Sequence, residues 1–575
     1  MSRMLTFDQA LCLGCRSCEL ACAVAHSQTG RLDRAILESV PPRRRVTISA
    51  TDAGIEAQRC DQCAEPLCVF ACKSGALHRD AETGTVHLDE SRCLGCYMCL
   101  MVCPFGVKLD TGRDRMVRCD VCEDREMPAC VAACPTHALG TAEQRAPAAR
   151  SDFRGHVVIV GSSAAGIAAC EAAREFAPGC SITIVTADAR PQYSRPLLAY
   201  LLSHSIDPRA LDWRPLEYLT ERLNVRVIAG VRASALAIEA RHLELDDGTR
   251  LHYDRLIVAT GARAVRVETP GHALEGVFTL RDLEDAERIE ALLQPGRAAV
   301  VLGGGNVGLQ TCEAFLARGM SVAAVVGSRH LLSQMVDSEA GRRVGELFAR
   351  NGLAVRTGSE VIEICGTARV EQIRLNDGEV MPADLVVVGK GIRPNVEWLR
   401  GSGVEIGRGV TVDLYGRTNA DGVFAAGDCA EVEDPLTGKA AVSGIWPVAY
   451  EMGRAAGSTA VGVEHASRGA LRMNASRFFD VPIVSIGEVR EQRLEGGRAQ
   501  VLTNRPEVYR KLVHRDGLIA GALLFGDVSG AGVLYRLYRE RIHVGGEILD
   551  RLDEHTLARS LGPFVHLQEI ATCPE

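Results

Sequence analysis

His156-Val-Val-Ile-Val160 runs directly into Gly161-Ser-Ser-Ala-Ala-Gly166 and then into an alanine-rich stretch. A short apolar run bounded by glycine reads as a buried strand, and the alanines beyond it as a helix. A strand–glycine–helix start leaves backbone N–H groups open at the helix N-terminus, where a pyrophosphate is held. The pattern returns at Ala298-Ala-Val-Val-Leu302 followed by Gly303-Gly-Gly-Asn-Val-Gly308, a full G-x-G-x-x-G opening a second helix. Between them, Leu256-Ile-Val-Ala-Thr-Gly261 reads as a strand turning tightly beside a nucleotide. Farther on, Val423-Phe-Ala-Ala-Gly-Asp428 reads as a strand ending in an acid. The fold class expected is α/β with two Rossmann-like dinucleotide-binding domains.

Outward from this centre, the chain has 575 residues, room for three or four domains of roughly 100–200 residues each. Apolar residues make up 47% and charged residues 24%, which excludes a mainly disordered chain. The net charge of −8 gives no basic footprint for nucleic acid, and Arg43–Arg45 reads as a solvated loop. No apolar run approaches the roughly 18 residues of a membrane span, and the first residues lack the apolar core of a signal peptide, so a cytoplasmic location is expected.

The chain holds 22 cysteines, and sixteen lie before residue 135. They form four groups: Cys12, Cys15, Cys18 and Cys22; Cys60, Cys63, Cys68 and Cys72; Cys93, Cys96, Cys99 and Cys103; Cys119, Cys122, Cys130 and Cys134. Disulfides do not suit a long reduced chain. Zinc knuckles use Cys-x2-Cys pairs, whereas two of these groups set three cysteines in a row at x2 spacing. Three close thiolates reach three irons of one cubane, and a distant cysteine reaches the fourth. Sixteen cysteines at four per cubane give four [4Fe–4S] clusters. If the groups exchange fourth ligands in a nested pattern, Cys134 joins Cys12, Cys15 and Cys18, and Cys22 joins Cys119, Cys122 and Cys130. Cys103 then joins Cys60, Cys63 and Cys68, and Cys72 joins Cys93, Cys96 and Cys99.

Ala21-Cys-Ala-Val-Ala-His-Ser27, Ala71-Cys-Lys-Ser-Gly-Ala-Leu77 and Cys96-Tyr-Met-Cys-Leu-Met-Val-Cys-Pro-Phe-Gly106 carry a resemblance. Residues 1–140 resemble the four-cluster α+β ferredoxins that serve molybdenum enzymes, hydrogenases and nickel carbon monoxide dehydrogenases, the last above all. Cys22 and Cys72 lack the following proline of that pattern. The residues between Gly140 and Gly155 read as a linker.

The four strand–loop elements described first, with Tyr193-Ser-Arg-Pro-Leu-Leu198, Gly389-Lys-Gly-Ile-Arg-Pro-Asn395 and Ile445-Trp-Pro-Val-Ala-Tyr450, resemble the FAD/NAD(P) oxidoreductases. Among these, NADH:rubredoxin reductases and the flavin half of nitrite reductases are similar. The resemblance implies that Gly161, Ser163, Ala164, Gly166, Asp188, Arg195, Thr260, Gly261 and Asp428 hold FAD, Asp428 on the ribityl chain. It implies that Gly303, Gly305, Asn306, Gly308 and Arg329 hold NAD(H) or NADP(H). The domains expected are a ferredoxin at 1–145, a linker at 146–154, an FAD domain at 155–295 and 385–464, an NAD(P) domain inserted at 296–384, and a C-terminal α+β interface domain at 465–575. Tyr509–His514 and Gly517–Gly526 read as hairpin strands of that last domain, whose role in the family is packing and dimer contact.

Three departures stand out. Where many relatives carry a redox cysteine beside the flavin, this chain reads Ser194-Arg195-Pro196-Leu197. Cys170, Cys180, Cys312, Cys365, Cys429 and Cys573 show no paired spacing and read as small residues rather than a redox pair. After the strand Ser321–Val326 comes Gly327-Ser328-Arg329-His330, with no carboxylate for a ribose 2′-OH. Arg329 either holds a 2′-phosphate or stands solvated, so NAD against NADP stays open. Gln310 replaces a glutamate common in relatives.

Flavin converts between the two electrons of a nicotinamide hydride and the single electrons of a cluster. The flavin-mediated step needs no general base, only nicotinamide C4 stacked over flavin N5. The expectation is an electron-transfer subunit linking a partner enzyme, four clusters, FAD and NAD(P). Carbon monoxide dehydrogenase leads as partner. A tungsten or molybdenum aldehyde or formate enzyme or a hydrogenase is the alternative, and a stand-alone NADH oxidase or peroxidase with structural clusters the second.

Overall fold

The computed structural model describes residues 3–51, 54–80, 83–103, 105, 108–110, 115–143, 150–190, 192–550 and 552. Two compact units divide the chain. One takes residues 1–148 with 473–477 and 481–575; the other takes 149–472 with 478–480. The C-terminal α+β segment therefore belongs to the same unit as the cysteine groups. Residues 146–149 of the expected linker, and Cys573, lie outside the described residues.

In the first unit, short β-ladders close loops around the cysteines. Arg3–Phe7 pairs antiparallel with Leu139–Glu143, Phe7 opposite Leu139, which draws the last cysteine group back to the first. Leu77–Arg79 pairs with Val86–Leu88 and draws Cys72 toward Cys93. Leu5, Val46, Ile48, Val121, Val131 and Leu139 form one core with Cys18, Cys22, Cys60, Cys119 and Cys130. The C-terminal segment adds a five-stranded sheet, in which Val508–Arg515 and Leu518–Phe525 form the expected hairpin. Its helix Ala531–Arg539 crosses Met98–Val102 so closely that a Cβ on Gly532 would lie 2.1 Å from the Cys103 carbonyl oxygen. Arg536 lies 5.1 Å over the Phe105 ring at the same crossing.

The second unit repeats one design twice. β1 (His156–Val160) leads into α1 (Ala164–Phe176), β2 (Ser181–Thr186), β3 (Arg226–Ala229) and β4 (Arg255–Val258). β5 (Val277–Thr279) precedes β6 (Ala298–Leu302), α2 (Asn306–Ala317), β7 (Ser321–Val326), β8 (Ala354–Thr357) and β9 (Leu385–Val388). β10 (Val423–Ala425) then returns to the first sheet, and α3 (Trp446–Ala460) follows. The sheets run β3-β2-β1-β4-β10 and β8-β7-β6-β9-β5, all parallel. Each central strand is buried from its second residue on, because helices cover both faces. The strand order reverses beside β1 and beside β6, where an open α/β sheet binds ligands beyond its strand ends. No helix among the described residues is long and apolar enough to cross a membrane.

α3 packs on α1 through missing side chains. A Cβ on Gly453 would stand 2.2 Å from the Ala165 carbonyl oxygen, and one on Gly457 2.2 Å from that of Ala169. Gly457→Val should therefore cost about 1–3 kcal/mol or more by overpacking. In the helix Ser338–Arg350, by contrast, Gly345 has open space, so Gly345→Ala should add about 0.5–1 kcal/mol through helix propensity. Denaturant melts of the two variants should move in opposite directions.

Candidate functional site

β1 runs into Gly161, whose φ of +119° and missing Cβ let the chain pass the Ala259 carbonyl; a Cβ there would be 2.0 Å away. Gly166 sits beneath the loop, where a Cβ would strike the Gly161 carbonyl oxygen at 1.9 Å. Ser163 caps α1 with no side-chain hydrogen bond, so the first-turn N–H groups stay open. They face a cavity of about 640 Å³. Gly161, Ser163, Ala164, Asp188, Arg195, Thr260, Gly261 and Asp428 all line it, and Gly166 supports it from below.

Charged pairs fix both ends of this cavity. Asp188, two residues beyond β2, pairs with Arg195 at 2.5 Å, and Arg195 also donates to the Tyr193 hydroxyl at 2.6 Å. Asp428 pairs with Arg281 at 3.0 Å, and Arg281 donates to the Ala262 carbonyl at 2.8 Å. Arg281 escaped the sequence reading because nothing local marks it. A strand-end loop, an open helix N-terminus and paired carboxylates fit a pyrophosphate flanked by polar sugar-like groups, which is the chemistry of FAD.

Beneath the cavity lies a buried network the sequence did not disclose. Glu171 on α1 accepts hydrogen bonds from the hydroxyls of Tyr450 and Tyr218, the latter at 2.7 Å, and from Arg214 at 3.1 Å. Burial opposes the Glu171 charge, yet Arg214 and the two hydroxyls hold its carboxyl below the ordinary range. Trp213 stacks edge-on to Trp446 at 4.9 Å, and Trp446 lines the cavity.

The second glycine loop repeats the first. Gly303 has φ +132°, and a Cβ there would lie 2.3 Å from the Gly389 carbonyl oxygen. A Cβ on Gly308 would meet the Gly303 carbonyl oxygen at 2.2 Å, whereas Gly305 faces open space. Gly305 caps α2 without a side-chain bond and Asn306 opens the helix. Arg329 is exposed beyond β7. The sequence reading found no carboxylate here, but the fold supplies one: a Cβ on Gly327 would stand 3.4 Å from Glu360 Oε1.

Cysteines from different groups come together in the first unit. Cys12, Cys15, Cys18 and Cys134 line one small cavity with Phe7, Ile48 and Leu139. Burial and the charges of Cys22 and Cys122 raise the Cys130 thiol to about 12, and Cys119 lies within electrostatic reach of Cys22. Burial raises Cys63 to about 12, with Cys103 and Cys60 adding to it, and Cys68 feels Cys103, Cys60 and Cys63. Cys99 is pushed well up by burial and by Cys96, Cys72 and Cys93. Neighbouring quartets also touch electrostatically, through Cys130 with Cys18, Cys119 with Cys60, and Cys99 with Cys68.

Backbone and side-chain donors point at these sulfurs. Arg45, Leu77 and Val121 donate backbone N–H groups to Cys22, Cys72 and Cys119 at 3.2, 3.3 and 3.3 Å. Arg118 donates to Cys60 at 2.9 Å, is 5% exposed, and has no hydrogen-bond partner among the described residues for its Nε and Nη1. His26 bridges Cys22 and Asp120: its Nε2–H donates to the Asp120 carboxylate at 3.1 Å, and its Nδ1 stands 3.7 Å from Cys22 Sγ. Clustered soft thiols, with N–H donors and a buried cation beside them, fit an anionic iron–sulfur cluster. Cys170, Cys180, Cys312 and Cys429 are buried elsewhere, Cys365 is half-buried, and none of the five lines the large cavity.

Known proteins show the same parts. Residues 155–453 match the family described as pyridine nucleotide-disulphide oxidoreductase, and the chain belongs to it. Residues 51–144 match the 4Fe-4S dicluster domain, and residues 473–542 the rubredoxin NAD+ reductase C-terminal domain. The NADH-dependent phenylglyoxylate dehydrogenase subunit epsilon of Aromatoleum evansii is 31% identical over 67% of this chain and 91% of its own length. The nitrite reductase [NAD(P)H] of Bacillus subtilis is 29% identical over 68% of this chain, which spans only 48% of that relative. Among solved structures, an NAD-dependent persulfide reductase from A. fulgidus matches at 26% identity and TM-score 0.65, covering 72% of this chain and 83% of its own. The reductase–putidaredoxin complex shares the fold at TM-score 0.66 and 23% identity, over 72% of this chain and 99% of that one.

The chain is thus a flavin- and NAD(P)-dependent oxidoreductase carrying an iron–sulfur domain. Replacing Glu171 by alanine would leave Arg214 buried without its counter-charge. The expected cost is about 3–5 kcal/mol, measured by denaturant unfolding, together with loss of bound flavin on gel filtration.

Proposed function

We propose that the chain is the NAD(P)-linked electron-transfer subunit of a larger redox enzyme, with one [4Fe–4S] cluster in each cysteine quartet. The observation that carries this reading is the order of the quartets. Cys12/15/18/134 neighbours Cys22/119/122/130, which neighbours Cys60/63/68/103, which neighbours Cys72/93/96/99. Groups in successive reach of one another suit conduction, not a reaction centre. At its first member stands Cys15, the one exposed cysteine among the described residues, with exposed Leu11 and Leu13 beside it. That end suits docking of a redox partner.

The dicluster match covers three of the four groups and leaves out Cys12 to Cys22; the fourth cluster rests on the shared cavity of Cys12, Cys15, Cys18 and Cys134. In the second unit, Gly161, Ser163 and Ala164 hold the FAD pyrophosphate, Asp188 and Arg195 the adenosine end, and Asp428 with Arg281 the ribityl end. Thr260, Gly261 and Trp446 shape the wall against water. Gly303, Gly305, Asn306 and Gly308 hold the nicotinamide dinucleotide. Flavin, when bound, supplies the exchange between hydride and single electrons.

The relative from A. evansii is named as one subunit of a dehydrogenase acting on phenylglyoxylate, a 2-oxo acid, which favours a partner that oxidises a small carbonyl compound, the alternative that includes aldehyde and formate enzymes, over carbon monoxide dehydrogenase, supported by the cysteine groups alone. The test is purification from native cells without oxygen. A co-eluting catalytic subunit that reduces NAD(P)+ with an aldehyde or formate, and about sixteen irons per chain, are expected. A solitary protein consuming NADH with oxygen at full rate, or fewer than about twelve irons, would overturn the reading; CO-dependent reduction would return the partner to carbon monoxide dehydrogenase.

Arg118 gives a second, independent test. Its buried guanidinium stands by Cys60 and within reach of Cys68 and Cys119, between the second and third quartets. Arg118→Gln removes a positive charge, so one cluster should become harder to reduce by on the order of 60 mV, the one-electron equivalent of a tenfold change. Redox titration followed by electron paramagnetic resonance reads the shift.

A further inference from the structure

We propose that Glu360 selects the nicotinamide dinucleotide, accepting hydrogen bonds from the adenosine ribose of NAD(H) and repelling the 2′-phosphate of NADP(H). This rests on the reading that the second glycine loop holds a nicotinamide dinucleotide.

The two halves of the second unit correspond residue by residue. Val160 at the end of β1 lies opposite Val185 on β2, and Leu302 at the end of β6 lies opposite Val325 on β7. Three residues on from Val185 is Asp188, which lines the large cavity; three on from Val325 is Ser328. The second half therefore lacks the carboxylate that the first carries just past its second strand, and Gly327 beside it has no side chain.

The next strand fills the gap. The chain beyond β8 is tied to the chain beyond β7, because Gly358 donates to the Ser328 carbonyl at 3.0 Å and Ser359 to the Val326 carbonyl at 3.3 Å. Glu360 follows, its N–H donating to Asn376 Oδ1 at 3.1 Å and its carbonyl accepting from the Asn376 N–H at 2.9 Å. With its backbone fixed on both sides, its carboxylate lies over Gly327.

The correspondence also says what that position faces. Thr183 lies opposite Arg226 in the first sheet and Ala323 opposite Ala354 in the second, so Glu360 is the counterpart of Arg232. Arg232 lines the large cavity. A carboxylate at this place accepts from vicinal ribose hydroxyls, whereas a 2′-phosphate would bring two anions together. Exposed Arg329 is the competing determinant, since it would favour the phosphate.

Equilibrium dialysis of the holoprotein against NADH and against NADPH tests this, paired with reduction of a dye acceptor by each. The wild type should favour NADH by about 10-fold or more, the worth of a charged hydrogen bond. Glu360→Gln, an exposed substitution that keeps every backbone bond, should lose most of that preference, and Arg329→Gln should leave it. A wild type preferring NADPH, or a preference unchanged by Glu360→Gln, would overturn the assignment. If neither nucleotide binds, the assignment falls with the reading of the second loop, and binding of both without discrimination sinks the assignment alone.

Discussion

Four sulfur anions cannot be brought together in a protein interior unless something opposes their repulsion, and the first unit is organised around that constraint. Burial raises Cys63 and Cys130 to about 12, and their nearest cysteines push the same way. Without a soft cation these thiols stay protonated; with iron bound, the thiolates become ligands and their charge is shared with the metal. The N–H groups of Arg45, Leu77 and Val121 and the guanidinium of Arg118 supply partial or full positive charge at four of the sulfurs. Secondary structure here is sparse because loops must wrap around the groups, and the short ladders serve to close those loops. The pairing of Arg3–Phe7 with Leu139–Glu143 is the outermost closure, and it sets the nesting of everything inside it.

The second unit solves a different electrostatic problem by removing atoms. A pyrophosphate needs backbone N–H groups within hydrogen-bond reach, which requires the strand end, the loop and the helix to approach closer than any side chain permits. Gly161 against the Ala259 carbonyl and Gly166 against the Gly161 carbonyl do this in one sheet; Gly303 and Gly308 do it in the other. Gly453 and Gly457 extend the same economy to the packing of α3 on α1. The cost is backbone entropy, and it is offset by the continuous Val/Ile/Leu/Ala strands buried on both faces.

How much of this was legible follows from the range of each signal. Strands β1 and β6 and their loops were readable because apolar runs and glycines lie within a dozen residues of one another. That the cysteines form four groups was readable because each group spans little more than a dozen residues. Arg281 meets Asp428 across 147 positions, and Glu171 meets Tyr450 across 279, so no local pattern announces either. Glu360 was missed for a subtler reason. The strand-end rule looks only along β7, whereas the carboxylate arrives from the neighbouring strand. The grouping of the C-terminal segment with the cysteine domain was likewise invisible, since it depends on Gly532 meeting the Cys103 carbonyl across more than four hundred residues.

The described cysteines therefore sit in two kinds of surroundings, set by the fold and not by sequence neighbours. Cys429 directly follows Asp428, the residue proposed to hold the flavin's ribityl chain, yet its thiol is fully buried and directed at the carbonyls of Val258 and Ala426, both at 3.3 Å. Burial raises it, so it stays a protonated thiol with its hydrogen already committed. Cys170 and Cys312 are likewise raised by burial with no cation beside them that outweighs it. In the loop Ser194–Leu197, Arg195 clamps Asp188 and Tyr193. Among the described residues, the cysteines outside the first unit are thus small buried or half-buried side chains, and those that come within reach of one another across groups lie in the first unit.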